Sequence, residues 1–101
     1  MNFAQKQPVT MMVLFIQKQR DTFLGTQRVL EAAGIREALD HGVDAMYEML
    51  ESNPALCEVY DDWVDSYDNL AKANAHVGEH YSAEEKQRIK QAVGNTFFEI
   101  K

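Results

Sequence analysis

Two histidines and a glutamate near the end of this 101-residue chain have a spacing that metal chemistry uses. His76, Glu79 and His80 form the pattern H-x-x-E-H, which in some zinc peptidases places two imidazoles one helical turn apart beside a catalytic carboxylate. Here Gly78 interrupts the pattern and is predicted to end the helix, and the chain is short for a peptidase domain. His41, with Glu37 and Asp44 one turn to either side, is a second metal candidate, although a lone exposed histidine among acids is the commoner case. We therefore predict no metal site.

Other catalytic signatures are also missing from the sequence. The five glycines do not cluster into a phosphate-binding loop, and Cys57 is not part of a nucleophile motif. We predict that the chain is not an enzyme and needs no cofactor.

Acidic residues dominate the middle of the chain. Residues 37–71 contain ten carboxylates and no lysine or arginine, within a net charge of −6. Acids that recur at each helical turn without bases forgo the stabilising ion pairs between positions i and i+4. We predict that they bind a basic protein surface and repel nucleic acid, although a merely solvated face is the alternative. The predicted partner-binding residues are Asp40, Asp44, Glu48, Glu51, Glu58, Asp61, Asp62, Asp65 and Asp68.

Three aromatic residues, Tyr60, Trp63 and Tyr67, recur at helical spacing within the acidic segment. Core packing explains such a ladder, because large rings bury much surface. The alternative is a cavity in which these rings bind an apolar or cationic small molecule, as in a helical sensor domain. The sequence leaves both interpretations open.

The elements that position these groups are predicted to be helices. Apolar residues recur every three or four positions, which indicates an all-α fold: an antiparallel bundle of about four helices, at 9–33, 35–51, 54–77 and 83–99. Asn53 and Pro54 have the types that begin a helix, and Ser82 with Glu85 forms a capping box. Glycines 34 and 78 are predicted to end helices, and Gly25 is a possible kink.

The first helix has a competing interpretation. Residues 9–16 are rich in β-branched and aromatic side chains and could form a strand paired with residues 96–100. Two strands make a poor sheet, and a helical face that continues to Ala33 favours a helix. In a helix, Met11, Leu14 and Phe15 lie off that face, so we predict that a second copy of the chain covers them in a homodimer.

Length and composition limit the class of protein. The chain is predicted to form a single domain, 1–101, and its longest apolar run, residues 11–16, is far shorter than the roughly 20 residues that span a membrane. A single cysteine and the lack of an export signal favour the cytoplasm. The leading functional prediction is a non-catalytic binding module of the inhibitor, immunity or adaptor type, whose acidic face engages a basic partner.

Overall fold

A computed structural model describes residues 1–94 as a set of packed helices without any strand. The helices are α1 (Val9–Ala33), α2 (Ile35–Asp40), α3 (Val43–Glu51), α4 (Pro54–His80) and α5 (Ala83–Val93). The all-α prediction is confirmed. Residues 9–16 belong to α1, so the strand alternative is wrong, and residues 96–100 lie outside the described range. None of these five helices combines the length and apolar character that crossing a membrane requires.

The predicted helix starts at Pro54 and Ala83 are confirmed by their capping contacts. The side chain of Asn53 accepts a hydrogen bond from the Leu56 amide at 3.2 Å. Ser82 accepts from the Glu85 amide at 3.2 Å, and the Glu85 carboxylate accepts from the Ser82 amide at 2.9 Å. These contacts satisfy amides that the first turn of a helix leaves without partners.

Three predicted helix boundaries are wrong. The single helix expected at 35–51 divides into α2 and α3, because Gly42 adopts φ 116° and ψ 160°, a conformation that essentially only glycine adopts. Helix α4 continues through Gly78 to His80 and ends where Tyr81 becomes extended. Helix α5 ends at Val93, before Gly94 with φ 67°, and the remaining predicted part, residues 95–99, is not described.

The core consists of two clusters. The α1/α4/α5 core contains Met12, Ile16, Phe23, Leu70, Ala73, Val77, Tyr81, Ile89 and Val93. The α3/α4 core contains Met46, Leu50 and Leu56, together with Leu30 from the C-terminal end of α1. Trp63 packs against both clusters. Helix α1, unbroken at Gly25, contacts α2, α4 and α5, and α3 contacts α2 and α4.

The N-terminal segment, residues 1–8, covers part of the apolar first two turns of α1. The ring of Phe3 meets that of Phe15 edge-on, with centroids 5.7 Å apart. Met11 and Leu14 remain 49% and 56% exposed. The N-terminal segment of the same chain therefore covers Phe15. That a second copy of the chain covers Met11 and Leu14 stays a prediction.

Candidate functional site

A pocket of about 390 Å³ lies beside Trp63, where α1, α2, α3 and α4 meet. This volume falls within the range of roughly 300 to 1,000 Å³ that is usual for small-molecule sites. Its lining is mostly apolar and aromatic, as such sites usually are. The lining residues are Gln27, Leu30, Glu31, Ile35, Arg36, Leu39, Met46, Tyr60 and Trp63.

The helical repeat places these side chains on the pocket wall. Residues three or four positions apart share one side of a helix, which explains how Leu30 joins Gln27 on α1, Leu39 joins Ile35 on α2, and Trp63 joins Tyr60 on α4. Gly34 alone connects α1 to α2, with φ 90° and ψ 24°. This left-handed residue ends α1 and redirects the chain, so that α2 forms a separate wall.

Three polar side chains of the lining, those of Gln27, Glu31 and Arg36, pair with one another. Arg36 Nη2 donates to Glu31 Oε1 at 3.3 Å, and Gln27 Nε2 donates to the same oxygen at 3.3 Å. Arg36 and Glu31 are the two charged residues of the lining, and both are exposed. Their opposite charges offset each other, so the wall has no net charge to attract a cation or an anion.

Trp63 is held by neighbouring rings. It stacks on Phe23 with ring centroids 5.6 Å apart, and Tyr60 lies 5.8 Å away on the same helix. The indole Nε1 is buried, and no group in residues 1–94 accepts a hydrogen bond from it. Packing against aromatic neighbours, rather than hydrogen bonding, therefore orients this side of the pocket.

The predicted aromatic ladder divides in the structure. Tyr60 and Trp63 line the pocket, whereas Tyr67 does not and is 51% exposed. Its ring lies 5.9 Å from that of Phe23. The sequence pattern located the α4 wall but missed the walls from α1, α2 and α3, because these helices meet only in the folded protein and α2 was not foreseen as a separate helix.

All nine predicted partner-binding acids are exposed. On α3, Asp44 and Glu48 lie opposite the buried Met46 and Leu50, given 100° of rotation per residue. On α4 the same geometry sets the acids away from the side that carries Leu56, Trp63 and Leu70. Within residues 1–94, Asp68 is the only one of the nine with an ion pair, to Lys72 at 2.9 Å. The acids and the pocket therefore occupy different sides of α3 and α4.

The two histidines of the H-x-x-E-H pattern lie in contact with neighbouring rings. His76 is 4% exposed, and its ring centroid lies 5.2 Å from Phe3, 4.7 Å from His80 and 5.7 Å from Tyr81. Burial, reinforced by the neighbouring His80, lowers the pKa of His76. Residues 1–94 contain no group of three or more metal-binding side chains with suitable geometry. The burial of His76 was not foreseen, because its position suggested an exposed helix end.

The N-terminal segment also contacts the start of α5. Lys6 Nζ lies 2.8 Å from Glu85 Oε1, and the Tyr81 hydroxyl donates to the Gln7 carbonyl oxygen. The hydrogen bond from Lys6, together with that from the Ser82 amide, lowers the pKa of Glu85 to about 2. Burial raises the pKa of the Tyr81 hydroxyl. These contacts position residues 3–7 at the opposite end of α4 from the pocket.

Fold and site together define a small all-helical protein with an apolar, aromatic-lined pocket. The chain matches no protein-family model, no curated protein and no solved structure.

Proposed function

We propose that this chain is a non-catalytic binding module that takes up a small, mostly apolar molecule in the pocket beside Trp63. The observation that carries the proposal is a space of about 390 Å³ lined mainly by apolar and aromatic side chains. Leu39, which lines it, is 48% exposed, so a ligand would cover apolar surface that water now reaches. Such burial contributes roughly 25 cal/mol per Å² of apolar area. The paired charges of Glu31 and Arg36 favour an apolar ligand over a cationic one.

Fluorescence titration with N-phenyl-1-naphthylamine, an uncharged aromatic probe, tests the proposal. Trp63 is the single tryptophan of the chain, so quenching of its emission and energy transfer to the probe report binding near the pocket. The melting temperature should rise with probe concentration, because a ligand that binds the folded state stabilises it.

Two variants locate the binding site. Leu39→Gln places an amide in the pocket wall and should weaken probe binding by roughly tenfold, the loss expected when a polar group faces an apolar ligand. Val29→Gln is the control, since Val29 is similarly exposed, at 49%, but does not line the pocket. Absence of saturable binding, or equal weakening in both variants, would refute the proposal.

A second candidate function is recognition of a basic protein surface by the acidic residues of α2, α3 and α4. Eight of the nine predicted partner-binding acids have no ion pair within residues 1–94, and all nine are exposed. Unpaired acids of this density attract a basic partner and accelerate its association at low salt. The proposed role is that of an inhibitor, immunity or adaptor protein.

Charge reversal tests this second function. The double change Asp61→Lys and Asp65→Lys should abolish capture of basic proteins from a lysate of the source organism at low salt. The control, Asp21→Lys with Glu79→Lys, alters the net charge equally at two other exposed positions. Equal loss in both variants would indicate a general charge effect rather than a site, and capture that survives high salt would also argue against the electrostatic mechanism.

We also propose, from the short connections between helices, an antiparallel arrangement completed by a homodimer through Met11 and Leu14, which are exposed on α1. We propose a cytoplasmic location as well, because a free cysteine such as Cys57 is typical of proteins in a reducing compartment. Sedimentation equilibrium tests the dimer: Leu14→Lys should give a monomer, because a charge at that interface would be buried without a partner. A wild-type protein that is monomeric at high concentration would refute the dimer.

A further inference from the structure

Helix α2 forms one wall of the pocket but supplies no buried residue to either core, although its partly buried Ile35 packs against the α3/α4 core. Ile35, Arg36 and Leu39 line the pocket from α2, yet none of its six residues is buried. Helices α1 and α3, its packing neighbours, both supply buried residues. Elements with few buried apolar contacts open more readily than the core they rest on.

Glycines with positive φ flank α2 on both sides. Gly34 has φ 90° and Gly42 has φ 116°, conformations that cost glycine little and other residues more. A Cβ atom at Gly42 would meet nothing within 4 Å, so close packing does not explain the glycine there. Hinges are typically a few residues at the ends of an element that absorb a large change in backbone angles. Gly34 and Gly42 meet this description.

The described structure contains a single side-chain ion pair between α2 and the rest of the protein. Arg36 Nη2 lies 3.3 Å from Glu31 Oε1, and both side chains are exposed. Exposed pairs of this kind contribute little stability because water and salt screen them. The pair can therefore break or re-form as α2 moves.

We infer that α2 is a lid that pivots at Gly34 and Gly42 and closes over an uncharged aromatic ligand held against Tyr60 and Trp63. This inference rests on the proposed small-molecule function. Closure brings Ile35 and Leu39 onto the ligand and removes apolar surface of both from water. The rings of Tyr60 and Trp63 favour an aromatic ligand. A charged ligand would compete with the Glu31–Arg36 pair or lie unpaired against an apolar wall.

Hydrogen exchange measured residue by residue tests the lid. The informative amides are those of Ala38, His41 and Gly42, which donate to the carbonyl oxygens of Gly34, Ala38 and Leu39, respectively. In the free protein they should exchange at least roughly tenfold faster than amides of α4 near Leu70 and Val77, since a lid opens without global unfolding. Saturating N-phenyl-1-naphthylamine should slow exchange at these three amides by a similar factor. Amides of α2 as slow as those of α4 in the free protein would overturn the lid.

The fluorescence titration with N-phenyl-1-naphthylamine, compared with hydrogen exchange, separates failure of the lid from failure of the binding function. If the probe quenches Trp63 but exchange in α2 is unchanged, the pocket binds and the lid inference is wrong. If the probe does not bind, the proposed function and the lid fall together. Anilinonaphthalene sulfonate has the same ring framework with an added sulfonate, and it should bind at least roughly tenfold more weakly because its charge is unpaired there. Equal affinity for the two probes would overturn the preference for an uncharged ligand.

Discussion

The rings of Phe23 and Trp63 stack with centroids 5.6 Å apart and planes 22° from parallel. Phe23 belongs to the α1/α4/α5 core, while Trp63 also packs against the α3/α4 core and lines the pocket. This pair therefore links the two cores directly behind the pocket wall. A substitution at Phe23 should therefore lower the stability of the whole protein, and the fluorescence emission of Trp63 should follow the unfolding.

Removal of the Phe23 ring should destabilise the protein strongly. Phe23→Ala leaves a cavity at a buried position between α1 and α4, and such changes lower the free energy of unfolding by about 3 to 5 kcal/mol. Urea denaturation followed by circular dichroism and Trp63 emission measures the loss. Val64→Ala is the control, since Val64 is 42% exposed and should change stability by no more than about 0.5 kcal/mol. Similar losses in the two variants would contradict the core assignment.

Alanine substitutions at two glycines should have opposite effects. Gly25 lies inside α1, where an added Cβ meets nothing within 4 Å, so Gly25→Ala should raise the free energy of unfolding by about 0.5 to 1 kcal/mol. Gly42→Ala forces alanine to φ 116° and should lower it by about 1 to 3 kcal/mol. Thermal and urea denaturation measure both. Stabilisation by Gly42→Ala would show that α2 and α3 can join into the single helix that periodicity predicted.

Loss of the capping hydroxyl at α5 should destabilise that helix. Ser82→Ala removes the acceptor for the Glu85 amide and should cost about 0.5 to 2 kcal/mol. Ser52→Ala is the control, because the Ser52 hydroxyl donates to the Met49 carbonyl at the exposed end of α3 and caps no helix start. Urea denaturation compares the two variants. A Ser52→Ala cost as large as that of Ser82→Ala would argue against the capping box.

Stability should depend on pH through His76. The pKa of His76 is lowered in the folded state from 6.5, chiefly by burial, so the unfolded chain binds a proton more readily. The contribution of His76 to stability is complete above pH 6.5 and declines as the pH falls from 6.5 towards the lower folded pKa. His76→Leu should remove the part of the pH-dependent decline in stability that comes from His76. The free energy of unfolding at pH 8, where His76 is neutral in both states, measures the effect of the substitution on packing alone. An unchanged slope between wild type and variant over this window would contradict the assignment.

The helix starts were predictable because their causes are local. Asn53 with Pro54, and Ser82 with Glu85, satisfy first-turn amides within three residues of sequence, and both signals were read correctly. The all-α class followed from apolar spacing that α1 retains across its full length. The exposure of the acids likewise followed from their position opposite apolar residues on the same helix.

Local sequence patterns are enough to establish the helical class of this protein, the residues at which two of its helices begin, and the charged sides of α3 and α4. Tertiary structure decided which glycines interrupt a helix: Gly42 does, whereas Gly25 and Gly78 remain helical. It also decided the burial of His76 under Phe3 and the walls of the pocket. The physical reason is distance along the chain. Capping and amphipathic spacing act within one or two turns, whereas burial and cavity shape depend on side chains from separate helices that meet only after folding.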